Sequence, residues 1–371
     1  MTTTPIGDLA LLSDRHSAAL VDRDGGVQWL AFPRFDSPSV VGGLLGADAG
    51  LWRIRPTSSH VEVERQYLDG TLVLETTFRT PTGVAVLTEA MATGEDADPH
   101  ALGRSATHLL VRRVDCRQGS VDMEVAFAPR PEYGLVVPLV EAVPGGLLIR
   151  GGAERLALTS PVDLAVTDAG SGGTLTLSAG QSATFALHHG RLGDREPRTW
   201  SQEDLAALLD STVRAWRAWS AIHQTYQGPW RDLVHTSGRV LQALSFQPTG
   251  AIIAAATTSL PEGVGGERNW DYRYAWVRDS CFTMQALWVA ACPDEAVDFF
   301  SFMTGAAATV DDDNGLQIMF GVGGEHDLTE RTLPHLEGWR GSRPVRVGNG
   351  AWNQQQVDVY GELLGAAHQL R

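Results

Sequence analysis

Lysine is absent. All 29 basic side chains of this 371-residue chain are arginine, which removes Schiff-base and phosphate-loop lysine chemistry and suggests a GC-rich genome. Cysteine is scarce, with only Cys116, Cys281 and Cys292. Cys281 and Cys292 fall on sequence that reads as helix, hence about 16 Å apart along its axis, too far to bridge. Nor do the three cysteines have metal-site spacing. No run approaches the roughly 18 apolar residues of a membrane span, and the opening "MTTTPIGDLALL" lacks the basic segment of a secretion signal. Positive charge is also in short supply. A net charge of −15 argues against nucleic acid or an anionic membrane as partner. GxSxG, HExxH and CxxC patterns are missing, and the glycines at 263, 265 and 266 follow no strand–helix–strand unit, so they are not a dinucleotide loop. The expectation is a cytoplasmic protein with a neutral or cationic ligand.

What is present divides into two kinds of periodicity. At 43% hydrophobic residues over 371 positions, the chain can build a sizeable core and more than one domain. Up to about residue 195 the apolar residues alternate at period two between turn signals: Asp22–Gly26, Asp69–Gly70 and Thr80–Gly83. Many short strands without intervening helices predict an antiparallel sandwich. The period then changes. "SQEDLAALLDSTVRAWRAWSAIHQTY" has apolar residues at 205, 208, 209, 213, 216 and 219 behind a Ser201 cap, which reads as a connecting helix. Helical faces follow at 230, 233, 234, 240, 241 and 244, at 282, 284, 287 and 288, in "PDEAVDFFSFMTGAAATV", and at 357, 360, 363, 364 and 367. No stretch beyond residue 226 reads as a convincing strand. The expected organisation is a β-sandwich domain over 1–198, a linker helix over 199–227 and an all-helical region over 228–371.

The stretch "GGERNWDYRYAWVRDS" at 265–280 threads Trp270, Tyr272, Tyr274 and Trp276 with Asp271, Arg273, Arg278 and Asp279. A Gly-rich loop precedes it and helical sequence follows. Adjacent residues do not face one another on a helix, so Arg278 and Asp279 are not expected to form an ion pair along its surface. At a helix end, both can address one ligand. A sugar suits this mixture, because its C–H faces stack on rings while its hydroxyls exchange hydrogen bonds with guanidinium and carboxylate. The alternative is that the rings are core and the charges a buried ion network. "GGEHDLTERTLPHLEGWRGSRPVRVGN" is either a loop lining a mouth or a solvated excursion. Gln354 and Asp358, four apart, are expected to share one helical face near Trp352, as a second wall or an exposed stripe.

Taken together, "TTSLPEGVGGERNWDYRYAWVRDS", "GVGGEHDLTERTLPHLEGWRGSRPVRVGN" and "NQQQVDVYGE" resemble glycoside hydrolase family 15, the glucoamylase, glucodextranase and bacterial trehalase group. The N-terminal "ALLSDRHSAALVDRDGGVQWLAFPRFDSPSVVGGLLG" resembles that family's opening segment. The resemblance implies a β-supersandwich, a linker helix and an (α/α)6 barrel whose mouth binds a terminal glucose. By it, Arg278 and Asp279 hold the outer hydroxyls of that glucose and Trp276 walls the pocket. Tyr272 sits near the sugar and the attacking water, with Trp270, Gln354 and Asp358 as further wall residues.

The family inverts configuration with a glutamic acid donor and a glutamate base, both in motifs that relatives carry beyond the equivalent of this chain's end. Residues 228–371 hold roughly four or five helices at ordinary lengths, against the twelve of an (α/α)6 barrel. The chain therefore reads as the front portion of a longer enzyme with no catalytic residue of its own. Glu267, Glu325 and Glu362 show no paired arrangement that positions a water. The resemblance implies an α-glucoside hydrolase needing no cofactor, and the Lys-free, Arg-rich composition together with the lack of a secretion signal favours trehalose over α-glucan oligosaccharides as its substrate. Whether phosphate or a divalent ion is needed stays open. So do a sugar-binding protein without turnover, and a structural protein whose sandwich makes homo-oligomer contacts.

Overall fold

The computed structural model describes residues 4–191, 196–289, 293–307 and 315–369. Cys292, at one end of the cysteine spacing considered above, lies outside the described residues.

The first half is sheet. Every strand pair there is antiparallel, and the strands join through one 20-residue strand, Leu109–Ala128. Its first part pairs with Gly83–Met91 and Ser182–Arg191. Its second part pairs with Leu51–Pro56 and Gly170–Ser178. Two sheets therefore share a strand, and one apolar cluster fills the space between them, drawing Val27, Leu30 and Trp52 from one sheet and Leu87, Leu147 and Leu158 from the other. The turns fall where the sequence places them. Asp22 Oδ1 accepts from the Asp24 and Gly26 amides between Ala18–Val21 and Gly26–Ala31, and Gly70 turns at φ 72° between Glu62–Tyr67 and Leu74–Thr80. Within this core Arg112 and Glu89 are fully buried together at 2.7 Å. Burial raises the Glu89 carboxyl above its usual range, and Arg112 only partly opposes the shift.

Helix α1, Gln202–His223, follows the sandwich. Ser201 caps it, its hydroxyl accepting from the Asp204 amide at 3.0 Å. Its Leu205, Leu209, Trp216 and Trp219 are buried as the spacing predicts, in a cluster that also takes in Phe35 and Val73 of the sheet half and Phe246, Val277 and Met284 beyond the helix. The remaining α-helices among the described residues are α2 (Arg231–Ala243), α3 (Val277–Val289), α4 (Pro293–Ala307) and α5 (Asp358–Gln369).

Two expectations for this half are corrected. It is not free of strands: Thr258–Pro261 pairs with Asn269–Asp271, Ala275–Trp276 with Met319–Phe320, and Arg331–Thr332 with Arg346–Val347. Pieces of two to four residues are too short to display a period. The predicted core faces of the helices are also only partly covered. Met284 and Leu287 of α3 are buried, yet Phe282 and Trp288 are exposed. Just ahead of α5, Val357 is 87% exposed, and on the helix Leu364 is 71% exposed, whereas Val359 and Ala366 are buried. Trp230 and Leu233 at the start of α2 are exposed as well. These helices are apolar on two sides, and one side meets no partner among the described residues. A period of 3.6 reports that a face is apolar, not what lies opposite it.

Candidate functional site

The 265–280 stretch resolves into two layers. In the inner layer, Arg273 and Asp271 are fully buried and joined by two N–H···O contacts of 2.8 and 2.7 Å. Arg273 also donates to the Ser37 carbonyl at 2.7 Å and to the Tyr133 hydroxyl at 2.9 Å, and its guanidinium lies over the Trp29 ring. Asp271 Oδ2 accepts from the Gly348 amide and the Tyr274 hydroxyl, while the Asn349 amide donates to the Asp271 carbonyl. Burial alone would lower the Arg273 pKa, but the Asp271 charge outweighs it and raises the pKa well above the ordinary value. For these two residues the buried-network alternative holds. The network fastens 265–280 to the sheet half and to 348–349.

The outer layer is open. Arg278 and Asp279 lie in the first turn of α3, where the loop feeds the helix, as the sequence implies. Their side chains are 42% and 43% exposed. The expected lack of an ion pair between them is corrected, for Nε of Arg278 stands 3.7 Å from Asp279 Oδ1. On its other side Nη1 stands 3.6 Å from Asp358 Oδ2, at the start of α5. Both contacts are long for charge-assisted hydrogen bonds, so all three groups keep bonding capacity for a ligand. Burial raises the Asp279 pKa above the usual carboxylate range, with Arg278 partly opposing it.

Beside this triad stands a ring cluster. Tyr272 and Trp276 meet at 5.6 Å between centroids. Tyr274, Ile318, Met319 and Leu328 complete the buried part, with Trp352 packed against it. The indole N–H of Trp276 is buried and finds no acceptor among the described residues. Burial, then the charges of Glu262 and Asp279, raise the Tyr272 pKa.

Two candidates sit differently from the sequence picture. Gln354 does not share a helical face with Asp358: α5 begins at Asp358, and the Gln354 amide instead donates to the Ala351 carbonyl at 3.0 Å, closing a turn ahead of the helix. Trp270 belongs to the hairpin with Thr258–Pro261, where the Arg346 guanidinium lies 4.6 Å over its ring, apart from the Tyr272–Trp276 cluster.

The loop after residue 320 is not a solvated excursion. Leu336, Trp339, Val345 and Val347 are buried in a cluster with Trp29, Leu44 and Leu45 of the sheet half, and the Trp339 indole N–H donates to the Thr4 carbonyl. Glu325 pairs with Arg34 at 2.8 Å. Burial pushes the Glu325 carboxyl up, but the Arg34 and backbone hydrogen bonds outweigh it and hold it below the usual range, the opposite of what a proton donor needs. Cys281 is no nucleophile, since burial pushes its thiol up to about 12. Among the described residues no group of three or more His, Cys, Asp or Glu is placed to hold a metal, and no helix is long and apolar enough to cross a membrane.

Sequence reasoning missed the contributions of Ser37, Tyr133 and Trp29. No signal in the sequence marks them, for Ser37 and Arg273 are 236 residues apart.

A sequence profile described as "Glycosyl hydrolases family 15" matches residues 229–371, and one described as "Trehalase-like, N-terminal" matches residues 1–204. The chain is 37% identical to a trehalase of Mycolicibacterium smegmatis over 98% of its own length and 57% of that protein. It is 36% identical to a trehalase of Mycobacterium tuberculosis over 97% of its length and 55% of that protein. A Sulfolobus acidocaldarius protein named Trehalase 1 is 34% identical, with 97% and 59% covered. The chain thus spans between half and two thirds of these relatives. Among solved structures, "Putative kojibiose phosphorylase from human microbiome" superposes with a TM-score of 0.51 at 8% identity, covering 97% of this chain and 53% of that one, a likeness of fold.

Proposed function

The chain belongs to glycosyl hydrolases family 15, and from that premise we propose that its Arg278–Asp279–Asp358 triad and Tyr272–Trp276 rings bind the terminal glucose of an α-glucoside, trehalose before α-glucan oligosaccharides. The observation that carries the reading is the half-open triad: a guanidinium between two carboxylates, none of them saturated, beside buried rings. Guanidinium N–H groups donate to hydroxyl oxygens, and the carboxylates accept hydroxyl protons. The ring faces take the sugar's C–H surface, and the unpartnered Trp276 indole N–H adds a donor. Trp270 and Gln354 belong to the outer wall in this reading.

The reaction is inverting hydrolysis. Water adds to the anomeric carbon as the bond to the bridging oxygen breaks, one acid protonating that oxygen and one base taking the water's proton. We assign neither role within the chain. Asp279 and Asp358 are engaged by Arg278, and Glu325 is held ionised by Arg34. Both groups come, in this proposal, from polypeptide corresponding to the part of the relatives that this chain does not match. That polypeptide would add helices to α2–α5, complete an (α/α)6 barrel and cover the exposed stripe of Val357 and Leu364. Division into a sandwich domain over 1–198, a linker over 199–227 and a partial barrel over 228–371 belongs to the same reading, as do a cytoplasmic location and a homo-oligomer through the sandwich.

Glucose release settles the substrate. A protein of the relatives' length carrying this chain is expected to hydrolyse trehalose faster than maltose or maltotriose; faster release from maltotriose refutes the preference. The chain as it stands is expected to bind trehalose without turnover, and Asp279→Ala to abolish binding at the triad.

A further inference from the structure

A cleft of about 550 Å³ lies where the loop after residue 320 meets the sheet half. One wall comes from the sheet half with Asp36, Glu132 and Tyr133, and the other from Asp327, Arg331 and Gly348. Tyr274 joins them. A lobe of about 370 Å³ continues from it past Arg34, Ser37 and Glu325, sharing Asp36, Tyr274, Asp327 and Leu328.

Three features distinguish this cleft from a gap left by packing. The first is its floor. Tyr133, Tyr274 and Gly348 are each bonded to the buried Arg273–Asp271 pair, so the lining is held in place before any ligand arrives. The second is backbone strain. Glu132 and Tyr133 both have positive φ, 53° and 59°, in sequence. Two consecutive non-glycine residues in the left-handed region cost of order 1–3 kcal/mol each and persist only where the surroundings enforce them. Here His335 Nε2 donates to the Tyr133 carbonyl and Arg273 to its hydroxyl. The third is chemistry. Asp36 is taken up by Arg34 through contacts of 2.8 and 2.7 Å. Asp327 accepts from the Thr329 amide and hydroxyl and still has acceptor capacity, since a carboxylate offers about four lone-pair sites. The Arg331 guanidinium supplies donors.

Acceptors and donors both line the space beside tyrosine rings. That mixture suits a neutral polyhydroxylated ligand better than a metal ion, and the described residues contain no metal-holding cluster. Tyr274 also packs in the cluster that holds Trp276 and Leu328, so a single set of rings separates this cleft from the Arg278 triad.

We infer that the cleft between the sheet half and the 325–348 loop is a second saccharide-binding site, in which Glu132 and Asp327 accept from sugar hydroxyls. The inference rests on the carbohydrate reading of the triad, because it extends the same ligand class across the shared ring cluster. It assigns the sheet half a part in recognition besides structure.

Calorimetric titration of the 371-residue chain with trehalose tests it, with the Glu132→Gln/Asp327→Asn double variant and Asp279→Ala run alongside. Both cleft positions are at least partly exposed, so the double variant should melt as the parent does. The parent is expected to bind two trehalose molecules. The double variant should weaken one site by about tenfold or more, as loss of charge-assisted hydrogen bonds predicts, and keep the other. Asp279→Ala should do the reverse. One parental site, lost in Asp279→Ala and untouched in the double variant, overturns the second site and leaves the triad reading standing. No trehalose bound by the parent overturns both. Spermine bound in the cleft in place of sugar, with affinity lost in the double variant, also overturns it.

Discussion

Arg273 and Asp271 form a pair with no exposure to solvent, joined through Nε and Nη2 at 2.8 and 2.7 Å. Two residues apart in sequence, they belong to a network that also reaches Ser37 and Tyr133, far back in the chain. The outer triad is as open as this inner pair is closed, and the predictions separate the two.

Arg273→Met leaves Asp271 as a buried charge without its counter-ion. Removing one member of such a pair costs about 3–5 kcal/mol. Urea unfolding of the variant should therefore show a large loss of stability; a change under about 1 kcal/mol refutes the structural role.

Asp279→Asn acts on binding and not on folding. The side chain is 43% exposed, and exposed substitutions usually stay within about 0.5 kcal/mol. Trehalose affinity should fall by about ten- to a hundredfold, as expected when hydrogen bonds to a charged group are lost. An unfolded variant, or one with parental affinity, contradicts this assignment.

The pH dependence follows from the raised Asp279 pKa. The folded state holds this proton more tightly than the unfolded chain. Ionising Asp279 therefore costs stability as pH rises from the usual carboxylate value through the raised one, and the cost is constant above it. Binding has the opposite sign, because the ionised form accepts from hydroxyls. Trehalose affinity should weaken as pH falls from about 7 towards about 4, beginning above the range of an ordinary aspartate. Asp279→Asn should flatten the profile; an unchanged slope assigns the titration to another group.

On the helices, Leu287 and Leu364 should behave as opposites. Leu287 is buried in the main cluster, and truncation to alanine should cost about 2–5 kcal/mol. Leu364 is 71% exposed, so Leu364→Ser should cost less than about 0.5 kcal/mol in this chain. A comparable loss at both positions in thermal melts would show that the α5 stripe is already covered.

Much of the fold was legible because it is local. The sheet half shows period-two runs with turn chemistry between them, and α1 shows a cap and a clean face whose Leu205, Leu209, Trp216 and Trp219 are buried. The short strands around 258–347 were not legible, since two to four residues hold no period. Nor was the covered side of α5, where Val359 and Ala366 are buried while Leu364 is left exposed. At the site, the residue types and the helix-end position of Arg278 and Asp279 were readable. The split between Arg273, sealed, and Arg278, open, was not, though both sit beside an aspartate within the same short stretch.

Sequence by itself determined the ring-and-charge composition of 265–280, the change of period near residue 200 and the family, because these depend only on residue type and spacing along the chain. Tertiary structure decided which charges face solvent and which are buried, how the 320–350 loop docks on the sheets, and that the halves enclose a cleft between Glu132 and Asp327. Those outcomes depend on contacts between segments as much as 335 residues apart, whose geometry arises only when burial of the shared clusters brings them together.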